Sequence, residues 1–191
     1  YINEFRYHYW SALFLKITAG IMIGLVYKYY YGYGDTFLYF EKASELASIF
    51  YRDPGSYIKF LVTSSTDIFD SGFERQPRAL FFTKIVSLFA LVTGGSYWIS
   101  SVYFSVASFF ASLYFIHIVA KSYPEYKLIL IVSALYFPSY VFWSSGIVKE
   151  SLAAISLFML IALVFKIYQN EKIRYHDILS ALIFGLLLWK I

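Results

Sequence analysis

Hydrophobic residues run along this chain in long blocks separated by short charged stretches. Residues 9–31, "YWSALFLKITAGIMIGLVYKYYY", form the first block, roughly the length of about 20 residues that a helix needs to cross a bilayer. Lys16 lies inside it near one end, where its stem is expected to snorkel to the interface. Residues 97–120, "YWISSVYFSVASFFASLYFIHIVA", predict a second full span. Its small residues Ser101, Ser105, Ser108, Ala111 and Ser112 suit close helix packing. Three more apolar runs follow, at residues 128–143, 152–168 and 178–191. Pro138 in "YFPSYVFWSS" predicts a bent helix end within an aromatic belt.

Between the first two spans, residues 32–78 form a long polar excursion. "TFLYFEKASELASIFY" places Phe37, Phe40, Ala43, Ala47 and Phe50 at three-four spacing, with Glu41, Lys42 and Glu45 elsewhere. That pattern predicts an amphipathic helix lying in the membrane interface. "RDPGSY" ends it, and residues 58–78 read as loop with a short helix. Residues 79–93 are apolar but short and contain Lys84, which suits a re-entrant or interfacial helix better than a full crossing.

Loop charge then sets the orientation. If 79–93 does not span, "KSYPEYK" and "KIYQNEKIR" both lie in the cytoplasm with the N-terminus, as short Lys/Arg-rich loops prefer. The expected fold is therefore an all-α polytopic membrane bundle of about five spans plus interfacial or re-entrant helices. It forms a single module over residues 1–191, with the 32–78 loop extracytoplasmic. The final apolar run ends at "LLLWKI", which suggests a module continued in a longer protein. The first run is too long for a cleaved signal peptide and lacks a small-residue cleavage site.

Composition agrees with this class. The chain is 60% hydrophobic and only 15% charged, against about 25% charged in soluble domains. A formal charge of +4 without a basic block argues against nucleic-acid binding, and the absence of cysteine rules out disulfides and thiolate metal sites.

In this topology "YGYGDTFLYFE" and "FWSSGIVKES" emerge on the same face, and each brings an acid, Asp35 and Glu150, to a helix start. Ionisable groups at membrane depth point to function by default. The plainer readings are an N-cap for Asp35 and an interfacial charge pair at a helix start for Lys149–Glu150. Arg75 and Arg78 suit either lipid headgroups or bidentate phosphate contact. Trp143 could stack on a sugar ring, and Glu41 and Glu74 are weaker carboxylate candidates. His117, with no second His or Cys nearby, reads as a packed or interfacial side chain.

The order of elements is more specific than any one of them. A first span, an acid just after it, an amphipathic helix in a long outer loop, "RQPRALFF" before a short apolar helix, and "PSYVFWSSGIVKESLA" opening a later span resemble the N-terminal module of GT-C glycosyltransferases. In this chain Lys149–Glu150 stands where the family's better-known branches carry an aspartate. The resemblance implies transfer of a sugar from a polyprenyl-phosphate donor to an acceptor hydroxyl on the extracytoplasmic face. Such chemistry needs a base for the acceptor proton, for which Asp35 is the candidate. It also needs positive charge at the leaving phosphate, from Lys149, Arg75, Arg78 or a divalent metal (Mg2+ or Mn2+) held by Asp35 and Glu150. The competing readings are a non-catalytic membrane subunit of a larger envelope complex, packing through its small-residue face, and a polysaccharide polymerase or ligase. A transporter is a further reading, without the matching broken helices it would need.

Overall fold

The computed structural model describes residues 2–32, 34–73 and 75–191, with side chains from His8 onward. The described residues form helices and their connections, with no strand among them. The helices are α1 (Ile2–Tyr29), α2 (Asp35–Arg52), α3 (Pro54–Thr63), α4 (Pro77–Val92), α5 (Tyr97–Ser122), α6 (Lys127–Ile131), α7 (Pro138–Trp143), α8 (Lys149–Tyr168) and α9 (Tyr175–Lys190). Three of them, within α1, α5 and α8, are long and apolar enough to cross a membrane. This is a membrane-protein helix bundle.

Side-chain contacts fix the directions of the long helices. Going up α1, Tyr9 meets Phe109, Lys16 meets Ser108, and Gly20 meets Ser101, so α1 and α5 are antiparallel. Phe115 stacks on Phe158 and Tyr123 meets Phe165, so α5 and α8 run the same way. Lys166 binds Asp177 at 2.7 Å, while Leu152 and Leu187 share a cavity at the other end. Helix α9 therefore returns against α8.

The apolar run 128–143 is not one helix. It consists of α6, a π-helical turn Val132–Tyr136 and α7, with the break at Phe137–Pro138, because proline cannot donate to the preceding turn. The broken segment runs beside α1 in the same direction. His8 reaches Tyr136, Lys16 reaches Ser144, and Gly20 abuts Gly146. Expecting a plain bent helix there underestimates the break.

Helices α2, α3 and α4 form a separate layer. Pro54 opens α3 instead of merely ending α2, with Asp53 capping the N–H groups of Gly55 and Ser56. Tyr57 bonds Ser87 at 2.9 Å, and Lys84 donates to the Leu61 carbonyl at 2.7 Å and to the Ser64 hydroxyl at 2.6 Å. The lysine inside the short apolar helix thus caps the end of α3. Phe82 and Phe89 of α4 both contact Phe104, at centroid distances of 6.2 and 4.6 Å. Those two residues stand about 10 Å apart along their helix, so α4 crosses α5 instead of lying along it. The buried stripe of α2 also differs from the expected one. It comprises Tyr39, Phe40, Ala43, Leu46 and Ala47, and Phe50 is partly exposed.

Residue Gly146 has φ +71°, and a Cβ there would sit 3.2 Å from the Gly20 carbonyl oxygen and 3.1 Å from the Ser101 hydroxyl. Left-handed backbone costs a side chain about 1–2 kcal/mol, and here the crowding partner includes backbone that cannot move aside. Gly146→Ala should lower the thermal unfolding midpoint of the detergent-solubilised protein by more than Gly72→Ala, which has the same φ but open space around it. Equal shifts would mean that the close approach at Gly146 contributes nothing.

Candidate functional site

The corner that brings the candidate residues together is built on a hydroxyl, that of Thr36. Its side chain is buried and donates to the Ile147 carbonyl at 2.6 Å, while sharing a 2.9 Å hydrogen bond with the Tyr97 hydroxyl. One residue earlier on α2 stands Asp35; two and three residues after Ile147 stand Lys149 and Glu150. This single contact joins the start of α2 to the start of α8. Both acids are exposed, and both interact electrostatically with the Tyr27 hydroxyl. The Lys149 ammonium lies 4.6 Å over the Tyr39 ring.

Asp35 is not the cap of α2. That position is Gly34, whose backbone approaches Tyr27 so closely that a Cβ would fall 1.9 Å from the ring. Asp35 is the first residue of the helix, and its side chain makes no capping bond. The start of α8 is likewise uncapped by a side chain, with Val148 at the cap position and Glu150 in the first turn. Each carboxylate therefore sits in the positive end of a helix dipole, worth typically 0.3–1 kcal/mol at an exposed site.

The remaining candidates are dispersed. Arg75 is exposed in the turn before α4, two residues past Phe73, which packs on Tyr39. Arg78 lines a different cavity, between α3, α4 and the end of α9. Trp143 is 46% exposed, its ring set edge-on to Phe142. Glu41 is exposed on α2, and His117 is exposed on α5. Glu74 lies outside the described residues. No group of three or more His, Cys, Asp or Glu that could hold a metal occurs among the described residues. A metal shared by Asp35 and Glu150 would take its other ligands from water or substrate, as Mg2+ commonly does.

Below the corner lies a polar seam that the hydropathy pattern conceals. Lys16 does not snorkel: it is fully buried. Its ammonium donates to the hydroxyls of Ser108 (2.9 Å) and Ser144 and to the Ser144 carbonyl, and rests 4.5 Å over the Tyr140 ring. Tyr140 in turn shares a hydrogen bond with Ser112. Above it, the Ser105 hydroxyl accepts from the Gly146 N–H at 3.1 Å, and Ser151 donates to the Gly146 carbonyl at 2.9 Å. Ser100, Ser101, Ser105, Ser108 and Ser112 of α5 are buried within the fold, so they do not offer a small-residue face to another subunit.

Lys16 contacts only neutral groups here, and Ser144 and Ser112 each donate to a backbone carbonyl as well. Exchanging a buried charge for a well-packed apolar side chain is often neutral or stabilising. Lys16→Met removes that charge but leaves the Ser144 carbonyl without its donor, a loss of about 1–3 kcal/mol, so it should still fold, with an unfolding midpoint below that of the parent. Lys16→Glu, which sets a carboxylate against the Ser144 carbonyl, should fail to give a monodisperse protein on size-exclusion chromatography. Loss of folding in the methionine variant would mean that the ammonium itself holds the seam. Comparison with known protein families, curated proteins and solved structures finds no match to this chain.

Proposed function

We propose that this chain is a membrane glycosyltransferase of the GT-C type, moving a sugar from a polyprenyl-phosphate donor to an acceptor hydroxyl at the extracytoplasmic face. The observation that carries the reading is the Thr36–Ile147 hydrogen bond, which brings an acid and a Lys–Glu pair from residues far apart in sequence to one exposed corner. In the proposed displacement, Asp35 takes the acceptor's hydroxyl proton. The freed oxygen attacks the anomeric carbon, and the bond from that carbon to the donor phosphate oxygen breaks. Lys149 stabilises the charge left on the phosphate, and Glu150 orients the acceptor. A divalent ion bound between Asp35, Glu150 and the phosphate would add Lewis-acid stabilisation of the same charge. Arg75 is a further phosphate contact, and Trp143 offers a ring face to a sugar.

The directions of the helices support a path of about five crossings: α1, α5, the broken segment 127–148, α8 and α9, with α4 lying across. On this path Asp35 and Glu150 share the outer face and residue 124 the inner one. A non-catalytic subunit remains the second reading, favoured by the many apolar side chains exposed on α1, α8 and α9. Those same faces are equally suited to lipid.

The chain has no cysteine, so topology can be read directly. Single cysteines at positions 35 and 150 should label in intact cells with a membrane-impermeant maleimide, and one at 124 should label only after lysis. Labelling of 35 and 150 from opposite sides would remove the shared site. Asp35→Asn should abolish transfer from a polyprenyl-phosphate sugar while leaving insertion and the unfolding midpoint unchanged. Undiminished transfer would exclude Asp35 as the base.

A further inference from the structure

Two cavities adjoin at Ile85 of α4, one lined by α4, α5, α8 and α9 and the other lying between α3, α4 and the end of α9. One, of about 600 Å³, is lined almost wholly by apolar side chains, among them Phe89, Phe104, Phe110, Met159 and Phe184. The other, of about 670 Å³, sets Arg78, Lys84, Lys190 and Ser64 in a wall that is otherwise apolar and includes Trp189. Ile85 belongs to the walls of both, and α9 contributes Leu187 to the first and Trp189 and Lys190 to the second. No acid lines either cavity.

An apolar chamber opening beside a cluster of cations matches an amphiphile with a negatively charged head. We propose that the α4–α9 seam binds an anionic glycerophospholipid of the bilayer, its phosphodiester among Arg78, Lys84 and Lys190 and one acyl chain in the apolar chamber. Two roles divide among the three cations. Lys84 is fixed by its bonds to Leu61 and Ser64 and serves as a preset charge. Arg78 and Lys190 are exposed and free to close on a phosphate, the arginine bidentately. Three positive charges exceed what one phosphodiester needs, so a zwitterionic headgroup would bring its ammonium into a cationic nest, whereas a lipid of net negative charge would not. The site lies on a different side of α4 from the Tyr39–Phe82 contact that faces the Asp35 corner. The proposal does not depend on the transferase reading.

Trp189, 81% exposed at the rim, supplies a reporter. A variant carrying Trp10→Phe, Trp98→Phe and Trp143→Phe would leave it as the sole tryptophan. This protein would be reconstituted in phosphatidylcholine vesicles containing increasing fractions of brominated phosphatidylglycerol, or of brominated phosphatidylcholine as reference. Phosphatidylglycerol should quench Trp189 at a mole fraction about fivefold lower or better, the preference expected for roughly one net cation at a membrane surface. Arg78→Gln with Lys190→Gln should erase the preference. Lys28→Gln with Lys172→Gln, which removes the same charge elsewhere, should keep it. Equal quenching by both lipids, no quenching by either, or a preference surviving the Arg78/Lys190 exchange would each overturn the proposal. So would displacement of phosphatidylglycerol by a trace of polyprenyl phosphate, which would assign the seam to the sugar donor.

Discussion

A helix that breaks inside an apolar bundle frees backbone N–H and C=O groups that lipid cannot satisfy, and the rest of this molecule is arranged around that requirement. The break is the buried turn 144–148, where α7 ends and α8 sets off in the opposite direction. Its groups find partners one by one: the Ser144 carbonyl in Lys16, the Gly146 N–H in Ser105, the Gly146 carbonyl in Ser151 and the Ile147 carbonyl in Thr36. The facing backbone of α1 is served as well, with Ser101 donating to the Gly20 carbonyl. Each partner comes from a different turn or a different helix, so the break ties α1, α2, α5 and α8 together. A buried group left unpaired would cost about 1–3 kcal/mol, and several are satisfied within two turns of helix.

The same bonds explain why the chemistry-bearing residues meet. Lys149 and Glu150 begin α8 immediately after the break, so whatever fixes the break fixes them. Thr36 fixes it from outside while standing next to Asp35. The two acids are thereby positioned through backbone and hydroxyl bonds, and their own side chains remain exposed. In physical terms the support is rigid and the carboxylates are not spent on it, which is the arrangement a reacting group needs.

Hydrophobic blocks made the long helices α1, α5 and α8 legible, the three that are long and apolar enough to cross a membrane. The expectation that Asp35 and Lys149–Glu150 share a face rests on loop charge together with a non-spanning 79–93. Less was legible wherever the decisive partner is a small hydroxyl. Serine and threonine are nearly silent in a hydropathy pattern, so the α5 serines read as packing residues and Thr36 carried no signal. Lys16 was misplaced because snorkelling depends only on depth in a span, whereas its actual environment depends on Ser144 and Tyr140, more than 120 positions later. The plainer reading of Asp35 as a cap rests on residue type, but the cap position lies against the Tyr27 ring and is held by Gly34.

The charge at the corner follows from these pieces. Two carboxylates against the Lys149 ammonium leave one negative charge at pH 7. The two uncapped helix starts contribute roughly +0.5 each, so the corner is close to neutral as it stands. A neutral acceptor hydroxyl can approach Asp35 without electrostatic penalty. A phosphate cannot, and the balance is restored only if it sits on the Lys149 side or arrives with its own counter-ion. In the proposed transfer, like charges would sort the acceptor and the donor phosphate to opposite edges of one small site. That separation is what an attack by an acceptor oxygen and a departure of phosphate from the far side of the same carbon require.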